Sequence, residues 1–354
     1  MGKLGVLRPD DIPHATDYVD QMVEMISTLV QRDAAYVTDD GVYLNVKSVP
    51  DYGLLAHQSL DDMLSGGGDR EVLGASNKKN PADFALWKFS KPGEPSWSAP
   101  WGEGRPGWHS ECVVMSLELL GEDFDLHCGG ADLRFPHHEN ERAQSNAAIN
   151  SEAVALWVHG EHLLFEGRKM AKSTGNVVLV SDLIAKHLDP LALRLCFLEN
   201  RYRSQMDLSW DSLKAAHLLI QRWREKTAVW RLAKVTDTKP AVSFIDEIIN
   251  DFTTDLDTPR ALQKLRSIEK AQTLSDGVKL EIFKVVDPLF GLDLLKPAVV
   301  KSQLPQELQK LLDARSVARS TGDFVESDRL RDLLAKDGIV VRDSKDGQSW
   351  DYLI

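Results

Sequence analysis

Residues 135–141, Phe-Pro-His-His-Glu-Asn-Glu, set a proline, an imidazole and a carboxylate in an order that can build a metal site. Pro136 suits the first turn of a helix, and a helix opening there sets His137 and Glu141 one turn apart on one face. Cys112 lies upstream in Gly107-Trp108-His109-Ser110-Glu111-Cys112. A thiolate, an imidazole and a carboxylate are three ligands of a tetrahedral zinc, with room for a fourth, and an open zinc is one that meets a substrate. Alone, a His-x-x-x-Glu pair carries little weight, since most such pairs are solvated. A third feature adds to it. In Gly167-Arg168-Lys169-Met170-Ala171-Lys172-Ser173-Thr174-Gly175-Asn176, two lysines between glycines make a cationic loop suited to a polyphosphate. Zinc and triphosphate together point to an activating enzyme.

These residues resemble the cysteinyl-tRNA synthetases, class I aminoacyl-tRNA synthetases, over essentially the whole chain. In that family Gly-Trp-His-x-Glu-Cys and a run similar to residues 127–141 build the zinc and cysteine pocket, and Lys169 to Ser173 is similar to the Lys-Met-Ser-Lys-Ser loop. The resemblance implies zinc on Cys112, His137 and Glu141, Trp108 in the wall of the amino-acid pocket, and Lys169, Lys172 and Ser173 on ATP. Asp132 and His138 orient the amino group or support the zinc ligands, with helix packing as the plainer alternative for both. The implied reaction joins cysteine to the α-phosphate of ATP, with Mg²⁺, and then to the terminal ribose of cysteine tRNA. The implied molecule is a cytoplasmic monomer.

Two positions depart from the family pattern. Ala171 stands where serine is usual, a small change because the charge rests on the lysines. Cys128 stands where glycine is usual, as a buried small hydrophobe or as a further thiol near the zinc. No His-x-Gly-His segment occurs, nor the cysteine that precedes it in the family and helps bind zinc. The opening Met1-Gly2-Lys3-Leu4-Gly5-Val6-Leu7-Arg8-Pro9 is similar to an internal family segment, so the expectation is a truncated chain, inactive alone, with an unpaired edge on its parallel sheet. Two rival functions stand beside the ligase: a ligase joining cysteine to an amino sugar in mycothiol synthesis, and a non-catalytic remnant that binds zinc or RNA.

Composition narrows the classes. At 354 residues, 43% hydrophobic and 27% charged, the chain has material for two or three domains with cores. No apolar run reaches membrane-spanning length, and three cysteines are too few for a disulfide framework, which suits a reducing compartment. A net charge of −12 argues against indiscriminate binding to nucleic acid but leaves room for a structured RNA held by a local basic strip. Arg201, Arg203, Arg222, Arg224, Lys226, Arg231 and Lys234 offer such a strip, or else a solvated helix face.

The elements that position these groups are legible in outline. Thr16 is placed to cap a helix carrying Val19, Met22, Val23, Ile26, Leu29 and Val30. Asp40-Gly41 is placed to turn a hairpin between Tyr36-Val37 and Val42-Tyr43-Leu44. Between Ser65 and Pro106 the chain is rich in Gly and Pro, and Trp87, Trp97 and Trp101 would staple an irregular insertion to the main fold. Asp189-Pro190 opens a helix with Leu193, Cys196 and Phe197 inward. Helical faces follow at Trp210, Leu213, Ile220 and Trp223, at Phe244, Ile245, Ile248, Ile249 and Phe252, and from Thr258-Pro259 through Leu262 and Leu265. After Pro297 come two helices broken at Thr321-Gly322 and a hairpin around Asp346-Gly347.

The expected fold is α/β: an incomplete Rossmann-type parallel sheet of the class I synthetases with an insertion, then an α-helical bundle and a small C-terminal α/β unit. The resemblance divides it into 1–34, a remnant of the first half of the catalytic fold, and 35–106, a connective insertion. Residues 107–180 are the second half with the zinc site and lysine loop, 181–300 a stem-contact region and anticodon-arm bundle, and 301–354 a small terminal domain.

Overall fold

The computed structural model describes residues 1–59, 77–170, 175–233, 239–297, 304–344 and 347–352. Ala171, Lys172, Ser173, Lys234, Asp346 and the glycine run after Ser65 lie outside the described residues. The chain divides into two compact units, Pro9–His162 and Met1–Arg8 with Leu163–Ile354.

In the first unit, helix α1 (Val19–Gln31) buries Val19, Met22, Met25, Ile26 and Leu29. Thr16 does not cap it. A short turn of tighter helix over Ala15–Tyr18 precedes α1, and Tyr18 occupies the cap position with no side-chain bond. Strands β1 (Ala35–Thr38), β2 (Gly41–Leu44), β3 (Phe84–Phe89) and β4 (Gly104–Pro106) form one antiparallel sheet in that order. The hairpin turns one residue earlier than expected, because Thr38 pairs with Gly41 and leaves Asp39-Asp40 as the loop. Gly41 serves a close approach instead: a Cβ there would lie 2.2 Å from the Trp87 carbonyl oxygen. The described residues Phe84–Phe89 and Gly104–Pro106 therefore belong to an ordered sheet rather than an irregular segment. Trp87 is fully buried on β3, with the Trp101 ring edge-on at 6.1 Å.

Helix α2 (Trp108–Leu120) starts where β4 ends, at Gly107, whose missing Cβ makes room for the Ala85 carbonyl. Strand β5 (Phe124–Gly130), a wide turn over Arg134–His138, helix α3 (Glu139–Ile149) and strand β6 (Val154–Gly160) form a crossover with β5 and β6 parallel, Phe124 opposite Val154 and Gly130 opposite Gly160. Parallel strands need such a helical return, which puts α3 against the sheet and its first turn beside the carboxyl ends of the strands.

In the second unit, β7 (Leu163–Phe165), β8 (Arg168–Lys169) and β9 (Met206–Leu208) make a small sheet with β7 central, antiparallel to β8 and parallel to β9. Helices α4 (Val180–Ala185), α5 (Leu191–Leu198), α6 (Trp210–Trp230), α7 (Ala241–Thr253), α8 (Thr258–Lys270) and α9 (Asp276–Phe290) follow. Ser209 caps α6 by accepting from Ser212 N–H at 3.1 Å. Trp223, Ile248, Leu262, Leu265, Phe283 and Phe290 share their core. Two inward assignments fail: Phe197 is 42% exposed and Ile249 39% exposed. On short α5 the inward face is taken by Leu191, Ala192, Leu195 and Cys196. Helices α10 (Gln306–Ser320) and α11 (Phe324–Lys336) pack with the hairpin β10 (Ile339–Ser344) and β11 (Gly347–Tyr352) around Leu312, Leu334, Ile339 and Val341. Arg315 is fully buried there, with Asp343 accepting at 3.0 and 2.9 Å and Gln348 at 2.8 Å.

Candidate metal centre and amino-acid site

Pro136 does not open α3. Phe135 is extended (φ −138°, ψ 134°), as the residue before proline prefers, and the chain makes a wide turn closed by His138 N–H donating to the Leu133 carbonyl at 2.9 Å. The helix begins at Glu139. His137 and Glu141 meet all the same, with Nε2 of His137 2.7 Å from Oε1 of Glu141. Cys112 arrives from α2, and one ligand atom from each of Cys112, His137 and Glu141 lies within 4.8 Å of the others. Trp108, one turn before Cys112, stacks on the His137 ring at 4.1 Å while remaining 56% exposed.

Helix α3 is polar yet buried over most of its first two turns, so each group needs a partner. Glu139, fully buried, accepts from the Gly53 and Ala56 N–H groups at 2.9 Å each. Asn140 accepts from Tyr52 at 2.5 Å, and Gln144 from Ser110 at 2.7 Å. Arg142 bonds Asp51 and Glu152. Glu141 is different: it is 2% exposed, and the groups that meet its two carboxylate oxygens are imidazole nitrogens, Nε2 of His137 at 2.7 Å and Nε2 of His127 at 3.0 Å. Burial would raise its pKa, but His127 and His137 outweigh that and hold it down to about 2. Burial, then the Glu141 charge, pushes the Cys112 thiol up to about 12. A buried carboxylate beside imidazoles and a thiol is a donor set that fits a zinc ion.

Four residues of this cluster were not singled out from sequence. His109 Nδ1 meets His137 Nδ1 at 2.8 Å, and burial followed by His137 lowers its pKa to about 4. His127 on β5 brings Nε2 to 3.0 Å from Oε2 of Glu141 and stacks on Trp157 at 4.5 Å. His159 on β6 contacts Nδ1 of His138 at 2.9 Å. His109 and His127 stood inside the quoted motifs, and the strand ending in Gly160 was the available signal for Trp157 and His159.

His138 is buried, with its pKa lowered to about 4 by burial. Asp132 is exposed in the turn after β5 and not on a helix, its carboxylate lying over Gly130. Cys128 is exposed on β5, not a buried small hydrophobe, because strand alternation turns it away from the side His127 faces, and it joins neither metal-capable group among the described residues. Lys169 is exposed on β8, where its carbonyl accepts from Asn176 Nδ2 at 3.1 Å. The rest of that cationic segment, Lys172 and Ser173 included, lies outside the described residues.

The basic strip is largely neutralised. Arg201 pairs with Asp257, Arg203 with Asp255 at 3.0 Å and Arg222 with Glu269 at 3.0 Å. Arg224 is 4% exposed and paired with Asp189 at 2.5 Å, Lys226 faces Glu269 at 4.0 Å, and Arg231 bonds the Leu295 carbonyl.

A methionyl-tRNA synthetase of Mycobacterium tuberculosis, solved with methionyl-adenylate, overlays on 89% of this chain and 78% of its own with a TM-score of 0.54 at 15% identity. That likeness establishes the class I synthetase fold. The tRNA synthetases class I (C) catalytic domain matches residues 1–218, and the cysteinyl-tRNA ligase anticodon binding domain matches residues 301–350. The cysteine–tRNA ligase of Alkalilimnicola ehrlichii is 38% identical across 98% of this chain and 77% of its own length. That of Ruegeria sp. is 40% identical across 98% and 74%, and that of Thermus thermophilus 38% across 99% and 76%. The chain belongs to the cysteinyl-tRNA synthetases, aminoacyl-tRNA ligases that use ATP. Among the described residues no helix is long and apolar enough to cross a membrane.

Proposed function

We propose that this chain serves as a cysteine–tRNA ligase, activating cysteine with ATP to cysteinyl-adenylate and passing the acyl group to cysteine tRNA. The convergence of Cys112, His137 and Glu141 beside the Trp108 ring carries the reading. These three side chains would hold one zinc ion, which supplies a soft acceptor that takes a thiol in preference to the hydroxyl of serine. Trp108 forms a wall of the amino-acid pocket, and His138 orients the amino group, with Asp132 the alternative for that role. His109 fixes the His137 ring through their 2.8 Å contact and so aims the ligand nitrogen. Lys169 and Lys172 neutralise charge on the departing pyrophosphate, and with Ser173 hold the phosphates and their Mg²⁺. Losing one such contact costs about 10²-fold in rate. The molecule acts as a cytoplasmic monomer.

Adenylation also needs the adenosine end of ATP held, the task the resemblance gives to a His-x-Gly-His segment that these 354 residues do not contain. Cysteine-dependent pyrophosphate exchange by these residues alone is therefore expected to be undetectable. The anticodon-binding match over residues 301–350 speaks against the amino-sugar ligase.

The test is spectroscopic and independent of ATP. Cobalt replacing zinc should give the bands of a thiolate-ligated tetrahedral ion, added cysteine should strengthen the sulfur charge-transfer band, and serine should leave it unchanged. Cobalt binding without a thiolate band, its persistence in Cys112→Ala, or an equal response to serine would overturn the reading.

A further inference from the structure

We infer that Asp207 and Asn176 are positioning residues for Lys169, fastening from two sides the short strand that carries it. The inference rests on the proposed function, in which Lys169 meets the departing pyrophosphate, and adds the groups that hold that lysine's backbone. A lysine stem is flexible, so what the fold can set in advance is the point from which the stem starts.

Strand β8 has little to hold it by itself. It is two residues long, and its ladder consists of Lys169 opposite Leu164 and Arg168 opposite Phe165. The loop that joins it to β7 is Glu166-Gly167, with both residues left-handed at φ 51° and 72°. A two-residue turn of that form follows the twist of the strands and favours glycine, asparagine or aspartate, so a glutamate in its first position is strained. Such a turn persists where the surrounding structure holds it.

Asp207 on β9 supplies that hold. Gly167 N–H donates to both of its carboxylate oxygens, at 2.9 and 3.1 Å, a charge-assisted contact stronger than one between neutral groups. Glu166 N–H donates to the Leu208 carbonyl at 2.9 Å, and Oε1 of Glu166 accepts from Trp210 N–H at 3.0 Å in the first turn of α6. The tip of the hairpin is thereby bolted to the corner where β9 passes into α6. At the other end of β8, Asn176 Nδ2 donates to the Lys169 carbonyl at 3.1 Å, closing the chain on itself seven residues back. An amide makes that closure without adding charge beside a group that must meet a polyanion. Lys169 is thus exposed on a strand whose tip and whose end are both held.

The experiment titrates the full chain calorimetrically with magnesium pyrophosphate. Asn176→Leu, which keeps the bulk and removes the N–H, and Asp207→Ala should each weaken binding by about tenfold. On charge alone, losing a carboxylate would tighten the binding of a polyanion, so a weaker complex in Asp207→Ala is the mark of a lost clasp. Asp207→Asn still offers an oxygen to Gly167 and should stay within about threefold of the parent. Because both residues act through Lys169, neither substitution should add more than about twofold to the loss in Lys169→Ala. Unchanged affinity in Lys169→Ala would remove the proposed phosphate role of that lysine, and the inference with it. A loss in Lys169→Ala beside parental binding in Asn176→Leu and Asp207→Ala would overturn the positioning role and leave the lysine's role standing. Losses that multiply in full in the double variants would locate the effect away from Lys169 and overturn the inference as well.

Discussion

Replacing Gly129 with alanine places a methyl carbon 2.5 Å from Cε1 and 2.8 Å from Nε2 of His138. Gly129 lies in β5 with extended backbone that alanine adopts freely, so the effect comes from that contact, with Leu133 Cδ1 also close at 3.1 Å. To reach the 3.4 Å of ordinary contact the imidazole has to recede by 0.9 Å. It has little freedom to do so, because His159 holds Nδ1 at 2.9 Å and the Trp157 ring packs at 5.1 Å. Overpacking of this kind costs about 1–3 kcal/mol, and a misplacement near 1 Å in a group that orients a substrate costs about 10²-fold. Gly130→Ala is the matched control. Its methyl would meet only the Oδ1 end of exposed Asp132, at 2.4 Å, and that side chain can swing into solvent. Calorimetric titration of the zinc-loaded chain with cysteine should show affinity falling about 10–100-fold in Gly129→Ala and within about threefold of the parent in Gly130→Ala. Equal affinity for Gly129→Ala and parent, with both folded by circular dichroism, would refute a substrate role for His138. A large loss in Gly130→Ala alone would transfer that role to Asp132.

Zinc affinity should rise about tenfold per pH unit through the neutral range, since the Cys112 thiol, pushed up to about 12 by burial and Glu141, is protonated before the metal binds and must release that proton. A profile flat in pH, measured by competition with a chelator dye, counts against Cys112 as a ligand. Cysteine tRNA should bind more tightly than its anticodon mutant or an unrelated tRNA at about 0.15 M salt, and with a shallow salt slope, because Arg201, Arg203, Arg222 and Arg224 are already paired with acids. Equal binding of all three in filter assays would remove the ligase reading. Asp343→Ala leaves the buried Arg315 guanidinium without its main counter-charge and should destabilise the α10–α11 and hairpin unit by about 3–5 kcal/mol, read as faster amide exchange from residues 304–344 than from the helical bundle.

What the sequence made legible was local. The period of hydrophobic residues located α1, the bundle helices α6, α7 and α8 but not α9, and the terminal helix pair, and the metal-capable trio converges although its helix starts three residues past the proline. What it hid was set by partners far along the chain. Arg201, Arg222 and Arg224 read as a basic strip until Asp257, Glu269 and Asp189 fold against them. His127 and Trp157 become neighbours only through the parallel register of β5 and β6. Gly41 reads as a turn glycine, but its purpose is the approach of Trp87 from a strand more than forty positions away. No window along the sequence contains these pairs.

Helix α3 explains why so much chemistry gathers at one turn. A helix polar on every side is normally solvated, and burying one is costly unless its groups are matched. Glu139 and Asn140 are matched by the segment around Tyr52 and Gly53, Arg142 by Asp51 and Glu152, and Gln144 by Ser110 of α2. Those contacts bring the segment around Asp51–Ala56, α2 and Glu152 just before β6 onto one helix, so the side chains that secure the fold also fix where Glu141 points. The same matching leaves the Glu141 carboxylate facing imidazole nitrogens at 2.7 and 3.0 Å, a buried charge that a cation can offset further. The metal-capable trio thus lies where the contacts that match that turn bring a carboxylate, an imidazole and a thiol together.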